Sequence, residues 1–482
     1  MPLSKKKNNN NISVSFVDSP SASDVTGSCI YVKTPNHNIL LECGLHQTND
    51  KYQDYLVNNR KIKEFKSRDI DLIFVLHNHG DHSLLVPRLF KNGCEAGVVM
   101  PELNKSVYEK MLIDSAHISE RDILVINEQH NKNYKPLYDL GDVKKTLEHT
   151  LEFPVNKKIK IDEEISFKLI PSGHLLGACQ LILYITINGV TKTIGYTSDI
   201  GNNKIYNYFV GKFEPINEYC NLFIGECTYG SRPELKVNKK ERKNDIDKLK
   251  SIIDTQIRDM KGRVVIPSFA QSRCQQLALL IYELYKDNKE FQPKVYIDSP
   301  LAIQIFKEYQ NLLSGKEKEL YDELMSWENL VFIKESEDSK ALVESNEPCL
   351  ILTTNGMATC GRSLNHLRKY VPNPNATVLF AGYSSENSLA SALKDKNTKK
   401  VSINGVECVC RCSVYSLKSF SGHAPFSQLL SYYSNLRADK IILHHGSDEA
   451  KLGLKNALEK EMGKQCKSTR IVVANSSLKF NL

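Results

Sequence analysis

The sequence predicts an α/β protein of more than one domain, on three observations. The chain has 482 residues, and at roughly 150 residues per domain that length accommodates about two to four domains. Short β-branched runs bounded by turn residues fill the first half. After Gly230 the pattern changes to strands and helices in alternation, the signature of a parallel sheet covered by helices.

Taken in order, "CIYVKT", "PNHN" and "ILLEC" read as a hairpin, and "DLIFVL", apolar on both faces, as a buried strand. In "ELNKSVYEKMLIDSAHISE" the residues Val107, Met111, Leu112 and Ala116 recur at helical spacing. Four strands follow, "ISFKLI", "CQLILYITI", "TKTIGYTS" and "NLFIGE". The next segment is strongly charged, yet Ile246, Leu249, Ile253, Ile257 and Met260 form one helical stripe that stops at Gly262. Its charged face reads as solvated surface rather than as an RNA contact. Strand "RVVIPS", helix "SRCQQLALLIYELYK" and strands "KVYIDS", "CLILTT" and "TVLFAG" then predict a parallel sheet. Strand "KIILHH", a helix over "EAKLGLKNALEKEM" and strand "TRIVVAN" end the pattern, with no internal repeat.

With 41% hydrophobic and 25% charged residues the composition is that of a globular protein, and no apolar stretch approaches the roughly 20 residues that span a membrane. The opening "MPLSKKKNNNNISVSF" is basic but polar where a signal peptide requires an apolar segment, so residues 1–12 are expected to form a flexible basic arm on a cytoplasmic protein. The 13 cysteines are odd in number and scattered, which argues for reduced thiols. "CVCRC" sets Cys408, Cys410 and Cys412 on one face of an expected strand; zinc pairs use wider spacing, so these read as small buried residues. The net charge of +8 suits a polyanionic partner without identifying one.

The chemistry concentrates in "HNHGDHS", residues 77–83, at the C-terminal end of a buried strand, where α/β layers hold ligands. Three histidines and a carboxylate this close repel or compete unless a cation organises them, and imidazole with carboxylate suits zinc. His174 in "PSGHLLGA" and Asp199 in "YTSDIG" stand at two further strand ends, in the order a two-metal site requires.

In His77, His79, Asp81, His82, His174 and Asp199 the chain resembles the metallo-β-lactamase fold hydrolases. The resemblance implies an αβ/βα four-layer sandwich and two Zn2+ ions, with His77, His79 and His174 on one, Asp81 and His82 on the other, and Asp199 bridging. His445 lies so far beyond Asp199 that a complete domain fits between them. Across that gap "GECTYGSR", "VVIPSFAQSRCQQ", "VYIDSPLA", "TTNGMATCGRSLNHL" and "TVLFAGYSSENSLASAL" are similar to landmarks of the β-CASP nucleases, the branch that contains the pre-mRNA 3′-end endonuclease. "FSGHAPF" adds His423, and "ILHHGS" adds His445, which the resemblance implies as the seventh metal ligand. The domains implied are a metallo-β-lactamase domain over 13–231 and 415–482, with an inserted α/β β-CASP cap over 232–414.

The same resemblance implies a zinc-dependent ribonuclease that hydrolyses single-stranded RNA and leaves 3′-hydroxyl and 5′-phosphate ends. It would be an endonuclease, with 5′-to-3′ exonuclease activity also allowed. Asp81 would position or deprotonate the attacking water, His423 would act as general acid, and Glu226 would hold His423. Histidine at 445 is the RNA-processing variant of that position. Its neighbour His444 would face the opposite way on the strand as a structural residue. Ser421, Arg273, Asn355 and Gly356 would approach RNA phosphates. Glu42, Asn355 and Pro425 depart from the residues usual in relatives, which places fine geometry and substrate preference in question. A homodimer or an RNA-processing complex is compatible with the resemblance. The rivals are a catalytically silent RNA-binding scaffold, disfavoured by the intact ligand set, and a small-molecule ester or thioester hydrolase, disfavoured by the cap landmarks.

Overall fold

Runs of β-branched residues become strands, and stripes of 3.6-residue period become helices, in a computed structural model that describes residues 11–17, 26–48, 50–205, 207–235, 237–382, 384, 388–476 and 478–482. The first ten residues of the expected basic arm lie outside the described residues. The chain divides into two compact units. Unit 1 comprises Met1–Asn203, Val210–Leu235 and His423–Leu482, and unit 2 comprises Lys204–Phe209 and Lys236–Gly422.

Before the insertion run β1 (Ser13–Phe16), β2 (Ile30–Lys33), β3 (Asn38–Leu41), β4 (Leu72–Phe74), β5 (Gly97–Pro101) and β6 (Thr150–Phe153). Then come β7 (Lys158–Lys160), β8 (Ile165–Pro171), β9 (Cys179–Ile187), β10 (Val190–Tyr196) and β11 (Leu222–Glu226). Unit 2 holds β12 (Arg263–Pro267), β13 (Val295–Asp298), β14 (Leu330–Phe332) and β15 (Cys349–Thr353). It also holds β16 (Ala376–Ala381), β17 (Lys400–Ile403), β18 (Val406–Val409) and β19 (Ser413–Leu417). The last strands are β20 (Lys440–His444), β21 (Arg470–Val473) and β22 (Lys479–Asn481).

Unit 1 is built on two 7-stranded sheets, ordered β22-β1-β2-β3-β4-β5-β6 and β21-β20-β11-β10-β9-β8-β7. Strand alternation determines what each face covers. In β4, Phe74 joins Val14, Val32, Phe167, Leu181, Ile224 and Ile442 in a core to which both sheets contribute. Its neighbour Ile73 turns the other way, against Tyr108 and Leu112 of the helix Lys105–His130. In β11 Ile224 points inward, while Phe223 packs with Leu429 and Leu454 from two C-terminal helices. Helices therefore cover the outer face of each sheet, giving the four-layer αβ/βα sandwich. No helix among the described residues is long and apolar enough to cross a membrane.

Unit 2 carries a 6-stranded sheet in the order β14-β13-β15-β12-β16-β19, parallel throughout. Its central strands β12 and β15 are buried along their whole length, so their sequences are continuous apolar runs. The charged helix Lys239–Ile253 continues as a π turn, Asp254–Asp259, and stops before Gly262, where a Cβ would lie 2.1 Å from Gln256 Nε2.

Strand β19 pairs in parallel with β16 and so joins the sheet of unit 2. One expectation requires correction: "CVCRC" is not one strand. Cys408 lies in β18, but the amides of Arg411 and Cys412 both bond to Val371 O and turn the chain toward β19. All three cysteines pack beside Leu367 and Val378.

Candidate metal centre

The site is assembled at the ends of unit 1 strands by loops too close to admit side chains. After β4, Val75 and Leu76 are fully buried; His77 follows, and His79 caps the short helix Gly80–Ser83. Backbone bonds fasten this turn, from Ser28 N to Asp81 O at 2.7 Å and from Cys43 N to His82 O at 2.9 Å. A Cβ on Gly44 would lie 1.8 Å from Asp81 O. The loop carrying His174 is tied to the Asp199 loop by Gly201 N donating to Ser172 O at 2.9 Å, and a Cβ on Gly201 would lie 1.6 Å from Gly173 O.

His445 lies one residue beyond β20 at φ 52°, so a turn rather than strand alternation sets its direction. The left-handed turn separates it from His444. His444 Nε2 pairs with Ser28 Oγ at 3.1 Å, and its ring packs 5.1 Å from Phe16, while His445 turns toward Asp81 and His82.

Seven side chains converge in two groups. In the first, His174 Nε2 lies 3.2 Å from His79 Nδ1, and Asp199 Oδ2 lies 3.6 Å from His77 Nε2 and 3.5 Å from His174 Nε2. In the second, His82 Nε2 lies 3.0 Å from His445 Nε2, which lies 3.4 Å from Asp81 Oδ2. The other oxygen of Asp199, Oδ1, lies 3.5 Å from His82 Nε2 and 3.3 Å from His445 Nδ1. One carboxylate thus gives each group one of its oxygens.

The groups differ electrostatically. Burial, then the adjacent His77, holds His79 down at about 3; burial and His423 hold His174 well below the usual histidine range. Both are therefore neutral and able to donate a lone pair. For His82 burial opposes the charged form, but Glu42, Asp199 and Asp81 outweigh it and push the imidazole up to about 10. Burial likewise opposes ionisation of Asp199 and Asp81, yet the facing imidazoles of His82 and His445 keep both carboxyls well below the usual range.

Beside the first group, Glu226 Oε1 lies 3.3 Å from His423 Nδ1 and accepts from Ile200 N at 3.0 Å, and Oε2 accepts from Thr228 N at 3.1 Å. Two backbone amides therefore fix the carboxylate that faces His423. Burial would lower His423, but the charge of Glu226, then Asp199, raises it to about 9.

The four expected phosphate contacts lie in unit 2. Arg273 is buried at the start of the helix Arg273–Tyr285 and donates to Gln276 Oε1 at 2.7 Å. Asn355 Nδ2 donates to Thr359 Oγ1 at 3.2 Å, bracing its own loop. Gly356 sits against Phe269, where a Cβ would find ring atoms at 3.2 Å, and Ser421 is buried. Pro425 stands at the N-cap of the helix Phe426–Asn435.

Behind the ligands lies a buried layer in which the resemblance placed Glu42 but sequence reasoning missed Ser198 and Tyr196. Glu42 Oε2 accepts from Tyr196 OH at 2.5 Å and lies 2.5 Å from His82 Nδ1, and its Oε1 accepts from Ser198 Oγ. Ser198 was visible inside "YTSDIG" beside Asp199, but no spacing rule links it to residue 42.

Metal fits this donor set. His77 Nε2 and Asp199 Oδ1 are buried without a hydrogen-bond partner, a costly arrangement unless a cation takes their lone pairs. Every grouping of three or more His, Cys, Asp or Glu able to hold an ion, among the described residues, falls in this region. Fold and donors together define a metal-dependent hydrolase.

Comparison with known proteins specifies the class. Residues 274–393 match the Beta-Casp domain, and residues 409–469 match the Zn-dependent metallo-hydrolase RNA specificity domain. Transcription termination factor FttA of Methanocaldococcus jannaschii is 27% identical, over 94% of this chain and 70% of its own length. Ribonuclease TTHA0252 of Thermus thermophilus is 25% identical, over 90% of this chain and 93% of its own. Probable RNase MJ4 of M. jannaschii is 29% identical, over 91% and 94% respectively. A solved protein of unknown function from Enterococcus faecalis V583 shares the fold, with a TM-score of 0.53 and 12% identity, covering 98% of this chain and 100% of that one. The chain carries a Beta-Casp domain and a Zn-dependent metallo-hydrolase RNA specificity domain, and it is similar over nearly its whole length to metal-dependent hydrolases of the β-CASP branch that are named as ribonucleases.

Proposed function

We propose that the protein is a zinc-dependent ribonuclease that hydrolyses single-stranded RNA at a two-metal centre and leaves 3′-hydroxyl and 5′-phosphate ends. The observation that carries this reading is the division of Asp199 between two ligand groups, with the His423–Glu226 pair beside them. His77, His79, His174 and Asp199 Oδ2 would hold one ion, and Asp81, His82, His445 and Asp199 Oδ1 the other. Such cations lower the pKa of an attacking water and neutralise charge developing on the phosphate. Asp81, a quarter exposed, can accept the proton from that water. His423 faces Glu226 through Nδ1, so Nε2 is the nitrogen that would protonate the leaving oxygen.

Two relatives named as ribonucleases support RNA as substrate, and the net charge of +8 suits its backbone. Ser421, Arg273, Asn355 and Gly356 are proposed as phosphate contacts. The intact ligand set weighs against a catalytically silent scaffold.

The test is purified protein with 5′-labelled single-stranded RNA, with and without a chelator, beside His423→Ala. Chelator-sensitive cleavage that largely disappears in the variant is expected. Cleavage that survives chelation, or none under any metal condition, overturns the proposal. Label release separates internal cutting from stepwise removal at the 5′ end.

A further inference from the structure

Glu42 is fully buried at the end of β3, and its carboxylate reaches one histidine in each ligand group by different routes. His82 of the second group is reached directly, Nδ1 to Oε2 at 2.5 Å. His77 of the first group stands 3.6 Å from Oε1, too far for a hydrogen bond, and Ser198 fills the gap. The Ser198 hydroxyl donates to Glu42 Oε1 and lies 3.0 Å from His77 Nδ1. Having given its one proton to Glu42, the hydroxyl must accept from His77, so Nδ1 carries hydrogen and Nε2 presents its lone pair. That Nε2 is the buried atom without a hydrogen-bond partner, facing Asp199 Oδ2 at 3.6 Å.

Backbone conformation marks the same two residues. Ser198 has φ 48° and Glu42 φ 63°, in the left-handed region that favours glycine. The turn at Glu42 breaks the alternation of β3: Leu41 packs in the core between the sheets, Glu42 joins the metal centre, and Cys43 packs on the outer face with Leu40. At Ser198, glycine would be the unstrained choice, so the serine keeps its hydroxyl at a conformational cost.

We propose that Ser198 is a positioning residue: its hydroxyl relays the charge of Glu42 to His77, so that one buried carboxylate orients a ligand in each metal group, directly for His82 and through Ser198 for His77. The inference rests on the two-metal reading above. It separates the two routes, since loss of Ser198 weakens the first group and loss of Glu42 weakens both. Tyr196 steadies Glu42, donating to Oε2 while its hydroxyl lies 3.2 Å from Ser28 Oγ.

The experiment uses Ser198→Gly, which keeps the left-handed turn and removes the hydroxyl, alongside Ser198→Ala and Glu42→Gln. Metal content and stepwise zinc affinity are measured by competition with a chromophoric chelator, and the visible spectrum of the cobalt(II)-substituted protein is recorded. Loss of an outer hydrogen bond to a ligand histidine typically lowers metal affinity by about 10–100-fold. We expect that loss at one of the two steps in Ser198→Gly and Ser198→Ala, with a changed cobalt spectrum, and at both steps in Glu42→Gln. Metal-free Ser198→Gly should melt no lower than the native chain, which separates positioning from general loss of structure. Native affinities and spectrum in both serine variants overturn the inference alone. A native chain that binds no metal overturns the two-metal reading and this inference with it.

Discussion

At the scale of single residues the site depends on carboxylates that orient imidazoles. Glu226 touches no ligand group directly and faces His423, whose pKa it raises. Removing the acid in His423→Ala should slow RNA cleavage by about 10²–10⁴-fold, measured in single turnover. Glu226→Gln removes the negative charge that favours protonated His423, so His423 loses its proton at lower pH. The alkaline limb of the pH–rate profile should then move to lower pH while the acidic limb stays in place. An unmoved alkaline limb would show that His423 is not the acid, or that Glu226 does not set its affinity for the proton. The ligand types were legible in the sequence because imidazole and carboxylate are uncommon enough that their clustering is informative. Serine is not, and Ser198 became visible only when residue 42 came within hydrogen-bond reach of it.

At the scale of elements, loops hold the ligands and glycines set the approach of one loop to another. Gly201 lets the Asp199 loop lie on the His174 loop, and an alanine Cβ there would meet backbone at 1.6 Å. Gly201→Ala should cost about 1–3 kcal/mol of stability, as overpacking does, and should also lower metal affinity. Gly463, in the last turn of the helix Asp448–Lys464, is the control: a Cβ finds nothing within 4 Å, so Gly463→Ala should be neutral or stabilise by up to about 1 kcal/mol. Chemical denaturation of both variants, read with their zinc affinity, checks the pair. Strands such as β9 were readable to the residue, because a β-branched run bounded by turns has few other uses. Less readable were "CVCRC", where contacts with Val371 turn the chain, and His445, where β20 ends one residue early. Both depend on partners distant in sequence.

At the scale of the whole molecule, two units each bury their own apolar clusters, and the ligand groups belong to unit 1 alone. A ligand that binds only the folded form stabilises what it binds, by roughly 2.7 kcal/mol at 100 times its dissociation constant. Calorimetry of the metal-loaded protein should therefore show a transition that falls in temperature on chelation, beside one that stays. A single transition that shifts as a whole would show that the units unfold together.

Local sequence alone determined many of the strands and helices, β9 and the helix Arg273–Tyr285 among them, and which side chains are of metal-binding type, because periodicity and residue chemistry act within a few positions. It also announced an insertion, through the distance between Asp199 and His445 and the change of pattern after Gly230. The tertiary structure decided that β19 completes the sheet of unit 2, that the two oxygens of Asp199 divide between two groups, and that Glu42, Ser198 and Tyr196 stand behind them. Each of these joins residues far apart in the chain at hydrogen-bond or ion-pair distance. Such contacts leave no period in the sequence, because they are set by how strands stack and where loops meet.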